Sequence, residues 1–479
     1  MDKLAERLVQ VVPSERQLRW HELEFYSFIH FGINTFYNRE WGNGKEDPAM
    51  FNPTELDTDQ WIRSLKAAGI KAAILTCKHH DGFCLWPSKY TEHSVKNSPY
   101  KNGKGDIVKE MAESCKKYGL KFGVYLSPWD MHEESYGDSP RYNDYFINQL
   151  TELLTEYGGL FSVWFDGACG EGPNGKRQQY DWERYYSVIR KLQPEAVIAI
   201  SGPDVRWCGN EAGHCRASEW NVVPKRLSLQ NYVAERSQKE DDSSFREREV
   251  TQQDEDLGSR EILKDEKEII WYPSEVDTSI RPGWFYHEEE DDKVRSLESL
   301  LDIYYNSVGG NATLLLNVPP SKRGLIHEND AARLKEIGDY INKTFSNCIT
   351  GSANITASSQ EEDHTAENIK TEDINFYKAP NGEERVTLTF EYETEQSINH
   401  VVLRENLALS QRIEEFEIIA ETSLGLKKIY EGTVVGSRKI CVFDEVKTRK
   451  IILNILASRV SPTLRFVGIY TSNKGDGCN

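Results

Sequence analysis

The chain has 479 residues, a length for two or more domains and for a core that folds without disulfide or metal staples. Hydrophobic residues make up 38% and charged residues 28%, the profile of a globular protein and not of a disordered one. The 58 basic and 77 acidic residues give a net charge of −19, which repels phosphate backbones and argues against a nucleic-acid partner.

No apolar run reaches the roughly 20 residues of a membrane helix, so no membrane partner is expected. Met1 to Arg7 lacks an apolar signal core. As it stands the sequence predicts a cytoplasmic protein; a leader removed beforehand would make it periplasmic or secreted. Nine cysteines without paired spacing, from Cys77 to Cys478, read as free thiols. Cys208 and Cys215 have no second Cys/His pair to complete a zinc pattern. The oligomeric state is not legible.

From about residue 25 to 345, apolar strand-like runs alternate with amphipathic helical stretches. Ser27–Ile33, Ile70–Cys77, Leu120–Leu126, Leu160–Phe165 and Ala196–Ser201 read as strands. Thr58–Ala68, Asp106–Tyr118, Asn143–Tyr157 and Trp182–Leu192 read as the helices between them, with acidic starts and glycine stops. This order predicts right-handed crossovers and a parallel sheet covered on both faces. The absence of a glycine-rich phosphate loop after the first strand favours a (β/α)8-like barrel over a doubly wound sheet. Glu235–Glu268, dense in charge, reads as a long solvated excursion. The barrel is expected to resume with Ile269–Tyr272, then a helix near Lys293–Asn306, the strand Thr313–Val318 and a closing helix near Glu328–Phe345. Short β-type segments follow, from Ile355–Ala357 to Leu464–Tyr470, and suggest a β-sandwich. The division is therefore a catalytic barrel over 1–345 and a β-sandwich over 346–479.

Barrel sites lie at the C-terminal strand ends. There the sequence offers His30-Phe31-Gly32, then Lys78-His79-His80-Asp81, then Tyr125-Leu126-Ser127, then Trp164-Phe165-Asp166-Gly167. A lone strand-end histidine is usually structural, but four consecutive strands bring polar groups to one rim. Asp166 is followed by Gly167-Ala168-Cys169-Gly170 and not by a helix, so capping explains it poorly. A carboxylate among aromatics suits a glycosidase nucleophile, because the oxocarbenium-like transition state needs an anion at the sugar and an acid at the leaving oxygen. For that acid the sequence offers Glu211, Glu219 and Glu275. Spacing gives Glu211 about even odds against the other two together.

These motifs resemble the α-L-fucosidases of glycoside hydrolase family twenty-nine. The resemblance rests on His30-Phe31-Gly32 with Glu40-Trp41, Lys78-His79-His80-Asp81-Gly82-Phe83, Gly123-Val124-Tyr125-Leu126-Ser127, Trp164-Phe165-Asp166-Gly167 and Leu314-Leu315-Leu316-Asn317-Val318. It implies a retaining mechanism with Asp166 as nucleophile, and a fucose pocket formed by His30, Glu40, Trp41, His79, His80, Tyr125 and Trp164. The stretch Asp204 to Gly213 resembles the subfamily that acts on α-1,3/1,4-linked fucose, which implies Glu211 as acid/base; Trp284 resembles a later pocket aromatic. The resemblance further implies a galactose-binding-like sandwich, a fucosylated glycan as substrate, and no cofactor or metal. Like-charge repulsion from Asp166 is expected to raise the pKa of Glu211.

Two rival readings carry their own tests. His30, His79 and His80 suggest a metal hydrolase, although neighbours on a regular strand point to opposite faces. A non-catalytic lectin is the other, and it would have no use for two such carboxylates.

Overall fold

The computed structural model describes residues 2–248 and 256–471; residues 249–255 of the Glu235–Glu268 stretch, and Cys478, lie outside them. Eight parallel strands form the first unit: β1 Phe25–Ile29, β2 Ala72–Lys78, β3 Lys121–Leu126, β4 Ser162–Phe165, β5 Val197–Ile200, β6 Arg206–Trp207, β7 Ser274–Ser279 and β8 Thr313–Asn317. They pair in the order β5-β4-β3-β2-β1-β8-β7-β6, and a parallel bridge between Ala199 and Val205 brings β5 to β6. This is a nearly closed (β/α)8-like barrel. Its strands are almost entirely buried because side chains fill the inside and helices cover the outside.

The covering helices begin where the sequence places an acidic cap. The side chains of Asp57, Asp106 and Asp181 accept from the backbone N–H groups of Gln60, Lys109 and Arg184. Helix Ile107–Tyr118 stops at Gly119, which sits at φ 79°, a conformation that glycine takes without steric cost.

Two expectations are corrected, and one strand goes unseen in the sequence. The first strand ends at Ile29, and Ile33–Tyr37 is a short helix. Ile269–Trp271 is not a barrel strand; it pairs antiparallel with Val222–Pro224 outside the ring. Its apolar side belongs to a separate cluster with Leu8, Val222 and Leu263. The true seventh strand, Ser274–Ser279, is polar in sequence and buried through hydrogen bonds. The sixth, two residues long, is too short to leave a hydropathy signal.

The last barrel helix is Glu328–Phe345, and an antiparallel unit begins at Asn354–Ala357. Its two longest strands, Val386–Arg404 and Lys439–Ser458, bend at register shifts and run through both layers of the sandwich. The bend in the first of them, near Glu393 to Gln396, is polar, which breaks its hydropathy signal into two short runs. The core between the layers includes Leu388, Phe390, Leu403, Phe416 and Ile418. The eight described cysteines are free thiols. Among the described residues no helix is long and apolar enough to cross a membrane.

The two units lock together around Glu24, the residue before β1. It pairs with Arg404 at 3.2 Å and Arg438 at 3.1 Å from the sandwich, and with Lys71 at 3.2 Å from the barrel. Burial pushes this carboxyl up, but the three cations outweigh it and hold it at about 2. Ending the chain near residue 350 removes two of the three partners. Losing the partner of a buried ion pair costs about 3–5 kcal/mol, so the shortened chain is expected to melt well below the full one. Because the folded pKa is depressed, this contribution is present above the ordinary carboxylate range and fades as pH falls toward 2. The gap in thermal midpoint should narrow on acidification. Equal melting of the two chains at neutral pH would show that the ion pairs stabilise nothing.

Candidate active site

The C-terminal strand ends open onto a cleft. Asp166 is the first residue past β4. Its Oδ2 accepts from the Tyr125 hydroxyl at 2.9 Å and its Oδ1 from the Ala168 backbone N–H at 2.8 Å. Those donors fix the plane of the carboxylate, and about a quarter of the side chain stays exposed to the cleft. A Cβ at Gly167 would lie 1.9 Å from Ser237 Oγ, so any larger residue there would have to push Ser237 aside.

β2 ends at Lys78, so His79 and His80 lie beyond the pleat and strand alternation does not separate them. Their rings are 4.2 Å apart and both line the cleft, contrary to the opposite-face expectation. Ser127 Oγ donates to the Trp129 carbonyl, so it accepts from His80 Nδ1 at 2.7 Å. His80 Nε2 then lies 3.8 Å from Asp166 Oδ2. Asn317 Nδ2 donates to Ser279 and to the Trp284 carbonyl, which fixes its Oδ1 as the acceptor of His30 Nδ1–H at 2.8 Å. The tautomers follow from these partners: both rings keep Nε2 as an acceptor. Burial lowers His30 to about 4 and lowers His79 and His80 as well, so the three imidazoles are neutral near pH 7.

Aromatic rings frame the cleft. Tyr125 stacks on Trp164 at 5.3 Å, Trp41 meets His80 edge-on at 5.2 Å, and Trp284 tilts against His30 at 5.1 Å. Glu40 lines the cleft and also holds the loop that carries Trp284. Its oxygens accept from the Trp284 and Phe285 backbone N–H groups, and His287 Nε2 lies 2.7 Å away.

The three candidate acids part company. Glu219 is fully buried, paired with Arg206 and with Arg216 at 3.5 Å. Burial opposes its ionisation, but the two guanidiniums override it and hold the carboxyl below its usual range, which unfits it as an acid. Glu275 lies inside the barrel, below the cleft lining. It accepts from Tyr26 and from Trp164 Nε1 at 2.7 Å, and burial raises it to about 7. Glu211 lies in the cleft wall. Its Oε2 accepts from Trp284 Nε1 at 3.3 Å and sits 3.9 Å from Arg246 Nε. It too is raised to about 7, with burial the largest cause. Arg246 and Trp284 oppose the rise, and the charges of Asp166 and Glu40 add to it. Like-charge repulsion, which the sequence reading put first, is a lesser cause than burial.

Sequence reasoning missed six contributors. Trp207 and Asp277 line the cleft and are joined by a 2.6 Å hydrogen bond from indole Nε1 to carboxylate Oδ1. Ser237 and Gln238 also line it. They belong to the stretch read as solvated, which in fact folds back over the site. Phe245 packs on Trp207 at 5.2 Å, its carbonyl accepts from the Glu211 N–H at 2.8 Å, and Arg246 reaches Glu211. The one aromatic among those charges, Phe245, is the signal that could have revealed this.

One carboxylate is held by hydrogen-bond donors in the same cleft as a second carboxyl that burial raises to about 7, among neutral imidazoles and indoles, at the strand ends of a parallel barrel. That is the equipment of a glycoside hydrolase. Residues 12–345 match the sequence model of the alpha-L-fucosidase family. The chain is 40% identical over 468 residues to Alpha-L-fucosidase 1 of Arabidopsis thaliana, covering 96% of this chain and 87% of the plant protein. A Bacteroides ovatus crystal structure provisionally described as an alpha-L-fucosidase superposes with a TM-score of 0.85 at 46% identity, covering all of this chain and 78% of that one. A Ruminococcus gnavus family-29 fucosidase solved with fucose gives a TM-score of 0.83 at 29% identity, covering 97% of this chain and 95% of the other. The chain belongs to the α-L-fucosidase family and is a glycoside hydrolase.

Proposed function

We propose that this enzyme is a retaining exo-α-L-fucosidase that removes terminal α-1,3/1,4-linked L-fucose from branched, Lewis-type glycans. The observation that carries the mechanism is the unlike pair of carboxyls facing one cleft, Asp166 fixed by Tyr125 and Ala168, and Glu211 raised to about 7. Asp166 attacks the anomeric carbon while Glu211 gives its proton to the departing oxygen, leaving a fucosyl ester on Asp166. The ester removes a negative charge that had raised Glu211, so the Glu211 carboxylate is better able to stay ionised and take a proton from water. That water breaks the ester, and Asp166 returns as a carboxylate with the anomeric configuration retained. Neutral His30, His79 and His80 accept sugar hydroxyls, and the indoles of Trp41, Trp164 and Trp284 pack on apolar sugar faces. The fucose bound in the Ruminococcus gnavus relative supports this use of the pocket. No cofactor enters the mechanism. Residues 1–345 form the catalytic domain in this reading, and the galactose-binding-like sandwich of 346–479 braces it.

The linkage reading rests on the Asp204 to Gly213 stretch and on the second wall built by Ser237 and Gln238, which can grip a neighbouring sugar. Binding energy from that sugar raises turnover when it is realised in the transition state. We expect kcat/KM for a Lewis-type trisaccharide to exceed that for 2′-fucosyllactose by about tenfold or more, about 1.4 kcal/mol. Equal rates would end the linkage assignment while leaving the mechanism standing. An inert aryl α-L-fucoside would end both.

A further inference from the structure

Of the carboxyls that line the cleft, Asp166, Glu211 and Glu40 have been given tasks and Asp277 has not. β7 presents Glu275, Asp277 and Ser279 toward the barrel axis at successive depths, beside Thr313, Leu315 and Asn317 of β8. Glu275, the deepest, is satisfied by Tyr26 and Trp164, and Ser279 Oγ donates to the Gly283 carbonyl. Asp277 lies between them at the wall of the cleft, 5% exposed. Its Oδ1 is occupied by Trp207 Nε1 at 2.6 Å.

We propose that Asp277 works as a neutral carboxylic acid, held by Trp207 at Oδ1 and donating its Oδ2–H to an oxygen of the bound glycan beside Glu211. This rests on the α-L-fucosidase reading of the site. No ion pair reaches Asp277 among the described residues, and the charges that bear on it are negative. Glu275 acts from its own strand, Glu211 from the loop after β6 and Asp166 from β4. The buried Cys208 thiol near it stays protonated. An ionised Asp277 would add a further negative charge to a cleft that must keep Asp166 ionised, and it would have one indole as its hydrogen-bond donor. Burial, then Glu211 and Glu275, raise this carboxyl well above its usual range, which agrees with the geometry. A buried carboxyl kept neutral changes from pure acceptor to donor, which is what a sugar oxygen with unused lone pairs needs.

Trp207 gives the arrangement a second use. β6 is two residues long, and from its end the chain runs to Glu211. The Trp207–Asp277 bond ties that short strand to β7 at cleft level, so the same carboxyl that meets the substrate also anchors the wall carrying Glu211.

The test compares Asp277→Leu with Asp277→Asn. Asparagine keeps the acceptor for Trp207 and supplies N–H donors in place of O–H; leucine supplies neither. We expect kcat/KM on an aryl α-L-fucoside to fall about 10- to 100-fold in Asp277→Leu, as expected for a lost hydrogen bond and an unsatisfied indole. Asp277→Asn should recover most of that loss, with an unchanged thermal midpoint. If Asp277→Asn is as damaged as Asp277→Leu while remaining folded, the enzyme needs a carboxylate there, and the proposal is overturned; an undamaged Asp277→Leu also overturns it. A readout independent of turnover separates this claim from the assignment of function. The infrared difference spectrum of wild type minus Asp277→Asn, at neutral pH without substrate, should contain a protonated-carboxyl C=O stretch. A carboxylate band in its place refutes the neutral acid whatever the enzyme hydrolyses. An inert wild type that shows the protonated band refutes the fucosidase reading instead.

Discussion

Asp166→Asn is expected to fold like the wild type and to lose turnover by on the order of 10⁴-fold or more, since a covalent nucleophile has no substitute in water. Folding should survive because an asparagine Oδ1 still accepts from the Ala168 N–H, and its amide can still meet the Tyr125 hydroxyl. Chemistry should not survive, because the amide nitrogen has no lone pair available to attack the anomeric carbon. Circular dichroism separates the two outcomes, and a slow fluorinated fucoside identifies the nucleophile directly. Its label should sit on the peptide that holds Asp166. A label on another carboxylate, or an Asp166→Asn enzyme retaining a tenth of its rate, would remove Asp166 from this role.

The features that made Asp166 legible were local. An apolar strand, buried on both faces, ends in an acid that no helix follows, and nothing distant is needed to notice it. The helix starts were legible for the same reason, because Asp57, Asp106 and Asp181 cap within their own first turn. Asp277 was illegible because Ser274–Ser279 contains one apolar residue, Val276, and the nearby Ile269-Ile270-Trp271 presented a stronger hydropathy signal. A polar strand in a barrel interior is stabilised by partners from other strands, and those partners are far away in sequence.

The choice among Glu211, Glu219 and Glu275 failed locally for a related reason. All three are acids near strand ends, and only their partners tell them apart: two guanidiniums for Glu219, a phenol and an indole for Glu275, an indole and one more distant guanidinium for Glu211. The solvated excursion was misjudged because a charged run looks the same whether it faces water or folds over a cleft. Phe245 on Trp207 and Arg246 at Glu211 decide between those outcomes, and both contacts are tertiary.

Glu211→Ala should reveal the acid/base by the pattern of its losses. A sugar hydroxyl leaves poorly without a proton, so hydrolysis of the trisaccharide should fall by roughly 10²- to 10⁴-fold, the usual worth of a positioned general acid. A nitrophenyl group leaves unaided, so the fucosylation step on that substrate should fall far less. Azide should then rescue its turnover, since a small anion attacks the fucosyl ester without a base. The pH profile supplies an independent check. In the proposed mechanism the protonated form of Glu211 is the active one, and with this carboxyl raised to about 7, wild-type kcat/KM on the trisaccharide should decline as pH rises through about 7. Arg246 favours the ionised form, so Arg246→Leu should raise that pKa and carry the alkaline limb to higher pH. Glu211→Ala should abolish the limb altogether. If Glu211→Ala slows neither substrate, and Glu275→Ala or Glu219→Ala in a folded protein gives the azide-rescued profile, the proton comes from another residue. Glu219 is the weaker of those two alternatives on physical grounds: Arg206 and Arg216 keep it ionised, so it has no proton to give at the pH where the glycan must be cleaved.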